Sequence, residues 1–512
     1  MNWSSGYVTD IEYVYDYQAE FNWLRQRLMC LTSGVAISEP KTACELGFGQ
    51  GLSVNIHAAA SSIEWWGTDF NPTQAQFACQ MADVTGSGAR LFDQAFADFC
   101  YRPDLPDFDM IGLHGIWSWI SDENRRVIVD FIERRLKSGG LLYISYNTLP
   151  GWGPFAPVRQ LLKHYDSLMS APEQDAAYRM DAAMRFVGRL LDTEPLFLRA
   201  SPQIKDNLED LQKYDRRYLV HEYLNSDWDP MHVADMAKWL EPTKCEFVCP
   251  ANYIKSIDEL NLSTAQQEFL REILDPVLRE SVRDFAVNER FRRDYWVKGP
   301  RRLSPQEQAE RVRAERVILG ASRASIPRFI AGARAKVAAP FFGPILDVLK
   351  DHRPRSLGEI ERAVQDSGLP FAETIRAIMI LAGAGFLQPV QDEEAAGEAT
   401  NRTDKLNNFL IERARFGTEV GRLASPVTGG GVRVPWIVQL FLLAGRNGRE
   451  TPRDQAAFVW SVLQEQGQRA KRDGKDIETA EDSLAELTKQ AGIVAQQHIP
   501  ILSALGITRK AV

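Results

Sequence analysis

The amino-acid sequence predicts an α/β fold in which a mainly parallel sheet is followed by two smaller, mostly helical regions. Two observations predict the sheet. Between residues 42 and 147, short apolar runs alternate with amphipathic runs, which is the pattern of successive βαβ units. The first apolar run ends in the glycine-rich stretch ELGFGQG, which is typical of a turn from a first strand into a helix.

Five strands are predicted in this region, namely TACEL, EWWGTD, ARLFDQ, FDMIGLH and GLLYISYN. The clearest helix between them spans residues 121–136, because Ser121 is a good N-cap, an apolar stripe recurs at helical spacing, and the breaker sequence KSGG follows. After the loop PGWGP, helical patterns continue to about residue 240. The segments KCEFVCPANYI and DYWVKGP then predict two further strands that return to the sheet.

These elements predict four regions. Residues 1–41 form an N-terminal cap segment, and residues 42–300 form the sheet domain with a helical insertion at about 154–240. Residues 301–390 comprise a basic helical linker and three helical patterns that end in FLQPV, which is the outline of a winged-helix-like domain. Residues 391–512 begin with the acidic, small-residue run QDEEAAGEATN, which predicts a linker, and continue as a mostly helical C-terminal domain.

Composition argues against several classes of protein. The 512 residues are 45% hydrophobic and carry a formal net charge of -8, which indicates a globular chain and disfavours a dedicated nucleic-acid binder. Six cysteines are too few for a disulfide framework, no secretion signal is recognisable, and no apolar run reaches the roughly 18 residues of a membrane span. We therefore expect a cytoplasmic protein with no nucleic acid, no membrane insertion and no metal, and a homodimer is compatible with the sequence.

The turn after the first strand carries the main functional signal. Gly47, Gly49 and Gly51 allow a ligand to approach the backbone beside the free N–H groups of a helix N-terminus. Their spacing lacks the third glycine of the G-x-G-x-x-G fingerprint of dinucleotide sites. Glu45 would repel a diphosphate but attract an ammonium group, and Asp69 stands where a carboxylate accepts hydrogen bonds from ribose hydroxyls. These features favour S-adenosylmethionine over a turn without a cofactor, although such turns also occur in α/β proteins that bind none.

Several segments resemble the motifs of one enzyme family. ACELGFGQGLS, WWGTDFNP, FDMIGLHGIWSWIS and LKSGGLLYISYNTLPGW are similar to successive motifs of class I S-adenosylmethionine-dependent methyltransferases. The segments HGIWSW and SYNTLPGW resemble, more narrowly, the bacterial group with a methyltransferase regulatory domain, which includes the outer-membrane-protein lysine methyltransferases. LVHEYLN and VNERFRRDYWVKGP are similar to the regulatory segment of that group. The resemblance implies a Rossmann-like sheet and S-adenosylmethionine as cofactor.

The resemblance also implies roles for individual residues. The residues expected to bind the cofactor are Glu45, Gly47, Phe48, Gly49, Gly51, Asp69, Phe70, Phe96, Asp98 and His114. Asp98 has a second interpretation as a solvated loop residue, because Ala95 stands where such enzymes often have an acidic residue.

Three residues at strand ends are the candidates for catalysis. His114 ends the fourth predicted strand, and Tyr146 and Asn147 end the fifth, so all three lie at the carboxyl edge of the sheet where ligands bind. Tyr146 and Asn147 are placed to orient an acceptor amine or hydroxyl. For His114 the alternative is a structural histidine whose hydrogen bonds are satisfied.

Aromatic residues near these ends have two interpretations each. Trp117 and Trp119 either wall the acceptor site or pack in the core. Tyr13, Tyr15 and Tyr17 alternate along the N-terminal segment, which resembles a cap over the cofactor, and surface packing is the alternative.

Three functions remain open on the sequence. The first is methyl transfer from S-adenosylmethionine to a protein acceptor, by resemblance a lysine. The second is methylation of a small molecule such as a sugar or glycan precursor. The third is a non-catalytic regulatory protein that binds S-adenosylmethionine and has lost turnover. The intact Glu45, Asp69 and three glycines count against a site that has fallen out of use.

Overall fold

The computed structural model describes residues 14–171, 174–332, 336–472 and 474–508. A seven-stranded sheet occupies the first 300 residues, and each of its strands lies where the sequence predicts one. In chain order the strands are β1 (Thr42–Leu46), β2 (Glu64–Asp69), β3 (Arg90–Asp93), β4 (Phe108–Leu113), β5 (Leu136–Asn147), β6 (Cys245–Pro250) and β7 (Phe291–Lys298).

The strands are arranged in the order β3-β2-β1-β4-β5-β7-β6. The pairs among β1 to β5 are parallel, whereas β7 is antiparallel to both β5 and β6. The strand order reverses between β1 and β4, and ligands bind in the crevice outside the carboxyl ends at such a reversal. Because β7 is antiparallel, its first residue Phe291 pairs with Asn147 and lies at that same edge.

Helices cover both faces of the sheet. Those of the N-terminal part are Trp23–Thr32, Leu52–Ala60, Pro72–Thr85, Phe96–Phe99 and Asp122–Arg135, with short 3-10 turns at Ala19–Phe21 and Trp117–Trp119. A further 3-10 turn, Glu241–Thr243, precedes β6. Ser121 caps the helix predicted from residue 121, since its Oγ accepts a hydrogen bond of 3.3 Å from Asn124 N. Phe21, Trp65 and Tyr143 pack in the core on one face of the sheet, and Trp66, Ile144 and Trp296 pack on the other.

The predicted helical insertion is present between β5 and β6. Its helices are Ala156–Met169, Ala176–Asp192, Leu196–Ala200, Ile204–Leu211, Arg216–Tyr223 and Val233–Leu240. Three more helices, Asp258–Asn261, Thr264–Arg271 and Pro276–Val287, lie between β6 and β7. Trp152, Leu162 and Val187 are among the residues of a separate hydrophobic cluster inside the insertion.

The region after residue 300 begins with a strand Arg301–Arg302 that pairs with Val35–Ala36. The helices are Pro305–Ala314, Ala339–Val348, Leu357–Ala363 and Phe371–Gly383, with 3-10 turns at Arg323–Ser325 and Gln365–Ser367. The strands are Arg316–Leu319, Arg355–Ser356 and Leu387–Pro389, which form one antiparallel sheet, and the pair Phe329–Ala331 with Lys336–Ala338. The three predicted helices and the short strand of this region are present, and its assignment as a winged helix stays a prediction.

The linker predicted at residues 391–401 is wrong. The chain there enters a helix of 21 residues, Glu393–Arg413, in which Ala399, Leu406 and Leu410 are buried. This helix contacts Leu52–Ala60 and Pro72–Thr85 of the sheet domain. The acidic, alanine-rich run favours a helix by its intrinsic propensity, and the apolar stripe that anchors it begins only at the end of the run.

The remaining C-terminal elements are mostly helical, as predicted. The helices are Trp436–Arg446, Pro452–Glu465, Ala480–Ile493 and Ile499–Ala504, with a π-helical turn at Val494–His498. Two hairpins pair Arg422–Ser425 with Gly430–Arg433 and Lys471–Arg472 with Lys475–Asp476. Among the described residues, every helix is too short or too polar to cross a bilayer.

Candidate active site

The glycine turn after β1 has a backbone that other residues rarely adopt. Gly47, Gly49 and Gly51 have φ angles of +73°, +56° and +71°. A Cβ on Gly47 would lie 2.3 Å from Ile116 Cδ1, and a Cβ on Gly51 would lie 2.3 Å from Ala78 Cβ. The glycines are therefore required both by the conformation of the turn and by the close approach of its neighbours.

Asp69, at the end of β2, faces this turn. Its Oδ2 accepts a hydrogen bond of 2.8 Å from Gly49 N, and its Oδ1 accepts one of 2.9 Å from Asn71 N. Burial raises the pKa of the Asp69 carboxyl to about 6, although both backbone hydrogen bonds act in the opposite direction. The side chain is thus fixed beside the glycine turn, as a ribose-binding carboxylate requires.

Glu45, near the end of β1, is the most unusual residue of the turn. The residue is only 3% exposed, and its Oε2 has no hydrogen-bond partner among the described residues. Burial, together with the charge of Asp69, raises the pKa of the Glu45 carboxyl well above its usual range. A buried carboxylate oxygen without a partner is costly, and the ammonium group of an amino-acid ligand would satisfy it. The residues present therefore fit S-adenosylmethionine.

The other predicted cofactor residues differ in their surroundings. Phe96 lies beside the turn, with its Cζ 3.9 Å from where a Cβ of Gly47 would stand. Phe48 is 6% exposed, and its side chain packs in the core. Phe70 is half-buried next to Asp69, and Asp98 is exposed on the short helix Phe96–Phe99. The adenine roles of Phe70, Phe96 and Asp98 stay predictions.

His114 follows β4 at the same edge of the sheet. Its Nδ1 lies 2.7 Å from the Tyr143 hydroxyl, its ring stacks on Tyr143, and the Phe291 ring meets it edge-on at 5.7 Å. Burial lowers the pKa of His114 to about 4, and burial also keeps Tyr143 protonated by raising its pKa. Ser145 Oγ also lies 3.3 Å from Nδ1. In the tautomer in which the Tyr143 hydroxyl donates to Nδ1, the proton of the neutral imidazole is on Nε2 and is available as a hydrogen-bond donor.

Tyr146 does not join His114. Tyr143 and Tyr146 lie on opposite faces of β5, because side chains alternate along a strand. The Tyr146 hydroxyl donates a hydrogen bond of 2.8 Å to Asp294 Oδ2 of β7, and the residue is 1% exposed. Burial raises the pKa of Tyr146 well above its usual range. As a catalytic residue, Tyr146 would have to act through Asp294.

Asn147 connects β5 to the helical insertion. Its backbone N donates a hydrogen bond of 2.8 Å to Ser118 Oγ, and its carbonyl accepts one of 3.1 Å from Met231 N. Its side-chain Nδ2 is buried and has no hydrogen-bond partner among the described residues. Glu222 of the helix Arg216–Tyr223 is a neighbouring group, and burial raises its pKa to about 7. The catalytic role of Asn147 stays a prediction, and Glu222 is a neighbour that sequence patterns did not indicate.

The predicted aromatic walls and cap are mostly packing residues. Trp117 is fully buried against Trp239, with ring centroids 5.8 Å apart, whereas Trp119 is half-buried. Tyr15 packs edge-on against Phe77, and the hydroxyl of Tyr17 accepts a hydrogen bond of 2.7 Å from Gly431 N of the C-terminal region. The predicted Tyr13 lies outside the described residues. The packing interpretation holds for Trp117, Tyr15 and Tyr17.

Sequence reasoning missed an ion pair beside His114. Glu20 of the N-terminal segment accepts a hydrogen bond of 2.7 Å from Arg293 Nη1 of β7, and its backbone carbonyl accepts one of 2.8 Å from the Tyr295 hydroxyl. Burial acts to raise the pKa of Glu20, but the charges of Arg293 and Arg25 outweigh it and lower that pKa. The sequence did contain a signal for this ion pair, namely the charged run RRD (residues 292–294) within a strand. Charged side chains in a buried strand need partners of opposite charge.

Comparison with known proteins adds to this geometry. Residues 215–298 match the model of a family described as a predicted methyltransferase regulatory domain. Over its whole length the chain is similar to the uncharacterized protein sll1526 of Synechocystis sp., with 34% identity over 99% of this chain and 100% of the relative. The uncharacterized protein RP789 of Rickettsia prowazekii is 28% identical over 48% of this chain and 44% of its own length.

Among solved structures, PKMT2 from Rickettsia typhi in complex with AdoHcy superposes with a TM-score of 0.70 and 15% identity, over 96% of this chain and 100% of PKMT2. The chain belongs to the class I S-adenosylmethionine-dependent methyltransferases that carry a methyltransferase regulatory domain. The likeness to PKMT2 shows that the fold of this methyltransferase extends over the insertion and the C-terminal regions as well as the sheet. The matched regulatory domain contains Glu222, Asp284, Arg292 and Arg293, which adjoin the candidate active site.

Proposed function

We propose that this methyltransferase transfers the methyl group of S-adenosylmethionine to lysine side chains of a protein acceptor. The observation that carries the cofactor assignment is the unpartnered Oε2 of the buried Glu45, which stands beside the glycine turn and Asp69. The lysine acceptor is supported by the whole-length likeness to PKMT2, a lysine methyltransferase whose structure contains AdoHcy. AdoHcy is the product that remains after S-adenosylmethionine gives up its methyl group.

Different residues of the site would bind different parts of the cofactor. Glu45 would accept a hydrogen bond from the ammonium group, Asp69 would accept bonds from the ribose hydroxyls, and the glycine turn leaves room for close backbone contact. The neutral His114 would donate from Nε2 to the cofactor or the acceptor. When bound, the cofactor supplies a sulfonium methyl group that a neutral amine attacks in line. Positioning of this kind accounts for roughly 7–11 kcal/mol of a barrier in favourable cases.

Two measurements test the function. Calorimetric titration should show binding of S-adenosylmethionine and S-adenosylhomocysteine and no binding of NADH. Incubation with poly-L-lysine and tritiated S-adenosylmethionine should label the polymer, and poly-L-arginine should stay unlabelled. Absence of cofactor binding would overturn the methyltransferase assignment, whereas binding without labelling of poly-L-lysine or of any lysine-bearing protein would redirect the search to small-molecule and glycan acceptors.

We also propose the cytoplasmic location that the sequence predicts, and a homodimer is compatible with the sequence. Sedimentation velocity of the purified chain would measure the mass in solution, and a monomer at micromolar concentration would refute the dimer.

A further inference from the structure

A cavity of about 240 Å³ lies at the carboxyl edge of the sheet, outside the glycine turn and His114. It is lined by the end of β6, the start of β7 and the helix Pro276–Val287, through residues that include Pro250, Phe291 and Asp284. The Phe291 ring, which lines the cavity, also meets the His114 ring at 5.7 Å. The cavity therefore adjoins the candidate active site without being part of the cofactor cradle.

Asp284 is the residue that points to a ligand. It is 1% exposed, and its Oδ1 accepts a hydrogen bond of 2.6 Å from Arg292 Nη1. Its Oδ2, which is also buried, has no hydrogen-bond partner among the described residues. A carboxylate oxygen buried without a partner is unfavourable, so a hydrogen-bond donor that enters the cavity would gain the interaction that the protein leaves unmade.

The charges around the cavity indicate that this donor is cationic. Arg292 alone serves three buried carboxylates, since it also bonds Asp294 at 2.8 Å and Glu280 at 3.0 Å. The other basic residues that line the cavity already have carboxylate partners: Lys255 with Glu289, Arg283 with Asp258, and Arg293 with Glu20. The cluster around Arg292 thus has one guanidinium for three carboxylates. Among the described residues no group of side chains is arranged to hold a metal ion, so an organic cation is the better match.

We propose that this cavity binds an alkylammonium group, a lysine side chain of the methyl acceptor, with Asp284 Oδ2 accepting the hydrogen bond that the ammonium donates. The ammonium would give its proton to Asp284 Oδ2, which leaves the neutral amine that attacks the methyl group. The proposal rests on the lysine acceptor proposed above and identifies where on the enzyme a lysine would be held. A cavity of about 240 Å³ is large enough for one such side chain, and a neutral or anionic group would leave the excess negative charge of the three carboxylates around Arg292 uncompensated.

The test uses n-butylammonium chloride as a probe, titrated into the full-length protein by calorimetry at pH 8. We expect wild type to bind it and Asp284→Asn to bind at least tenfold more weakly, because the asparagine keeps the shape but loses the charge. The matched control is Asp130→Asn on the helix Asp122–Arg135, which loses an exposed pair with Arg134 and should bind the probe like wild type. Neutral n-butanol should not bind at all.

A measurement on wild type keeps the proposal open to refutation if Asp284→Asn does not fold. Burial raises the pKa of Asp284 to about 7, and the probe stays protonated well above that pH. Probe affinity should fall about tenfold between pH 8 and pH 6 as Asp284 takes up a proton. The groups that face Asp284 are Glu280 and Arg283 on its own helix, Arg292, Arg293 and Asp294 on β7, Tyr146 on β5 through Asp294, and Lys255 and Glu289 beside the cavity.

The outcomes separate this proposal from the proposed function. S-adenosylmethionine should bind wild type and Asp284→Asn equally well, because Asp284 lies outside the cofactor cradle. Two results would overturn the cavity assignment alone, provided that the cofactor still binds. In the first, the probe does not bind. In the second, the affinity of the probe for Asp284→Asn stays within twofold of wild type, and its affinity for wild type does not change between pH 6 and pH 8. Loss of cofactor binding in wild type would overturn the proposed function, whatever the probe does.

Discussion

Glu20 and Arg293 form an ion pair of 2.7 Å that joins the N-terminal segment to β7 beside His114. The two residues are 273 positions apart, and the side chain of Glu20 is 9% exposed. Their contact closes the face of the sheet on which Tyr143 and Tyr295 pack. The pair therefore couples the N-terminal segment to the edge of the sheet where the cofactor is expected.

Breaking this pair should destabilise the fold. We expect a coupling of about 1–2 kcal/mol between Glu20→Gln and Arg293→Met in a double-mutant cycle from urea unfolding, reduced because Arg293 is 35% exposed. The folded-state pKa of Glu20 is lowered, so this stability is present above the unfolded pKa and is lost as pH falls through the folded value. The exposed pair Arg134–Asp130, which lies on one helix, is the control and should show a coupling of at most about 0.5 kcal/mol. A coupling near zero at pH 7 would contradict the role of the pair.

Asp69 should be essential for cofactor affinity. Asp69→Ala removes the carboxylate that is held beside Gly49, and two hydrogen bonds to a charged group are together worth about 3 kcal/mol or more. Calorimetry should therefore show S-adenosylmethionine affinity at least a hundredfold weaker. Asp93 is the matched control, because it ends β3 opposite Asp69 in the sheet register and is exposed. Asp93→Ala should bind within about twofold of wild type, and an equal loss in both variants would argue against a ribose contact.

Cofactor binding should release protons. Because the folded-state pKa of Asp69 is raised to about 6, the folded chain holds more protons than the unfolded chain between about pH 4 and pH 6, and stability falls as pH rises through that window. Glu45 acts in the same direction, because burial raises the pKa of its carboxyl well above its usual range. S-adenosylmethionine needs both groups ionised, so its affinity should rise with pH. Titrations at pH 6.5 in phosphate and in imidazole should differ in apparent enthalpy, and identical enthalpies in the two buffers would refute the proton release.

Gly51 should tolerate no side chain. In Gly51→Ala the new Cβ would stand 2.3 Å from Ala78 Cβ at a φ of +71°, so strain and overpacking add, and we expect a loss of about 2–4 kcal/mol in urea unfolding. Gly86 separates the two effects, since its φ is +62° and a Cβ there would meet nothing within 4 Å. Gly86→Ala should cost only the backbone strain of about 1 kcal/mol. Equal losses would show that the contact with Ala78 relaxes freely.

The sequence was sufficient to predict the strands of the sheet but not the side-chain contacts between them. All seven strands were predictable because each is an apolar run bounded by breakers, and Glu45 and Asp69 were predictable because each lies at or near a strand end. Tyr146 was expected to face an acceptor, but its hydroxyl bonds Asp294, 148 residues away, and local patterns carry no information about such pairing. The cavity beside Asp284 depends on three elements that meet only in the folded chain.

The helix that replaces the predicted linker provides the last prediction. Gly397 lies in the interior of Glu393–Arg413, is exposed, and a Cβ there would meet nothing within 4 Å. Gly397→Ala should therefore stabilise the protein by about 0.5–1 kcal/mol through helix propensity, and Gly397→Pro should destabilise it by about 3 kcal/mol. Urea unfolding of the two variants measures both. In a flexible linker neither substitution would change the free energy of unfolding. Two variants that unfold like wild type would therefore support the predicted linker and exclude the helix.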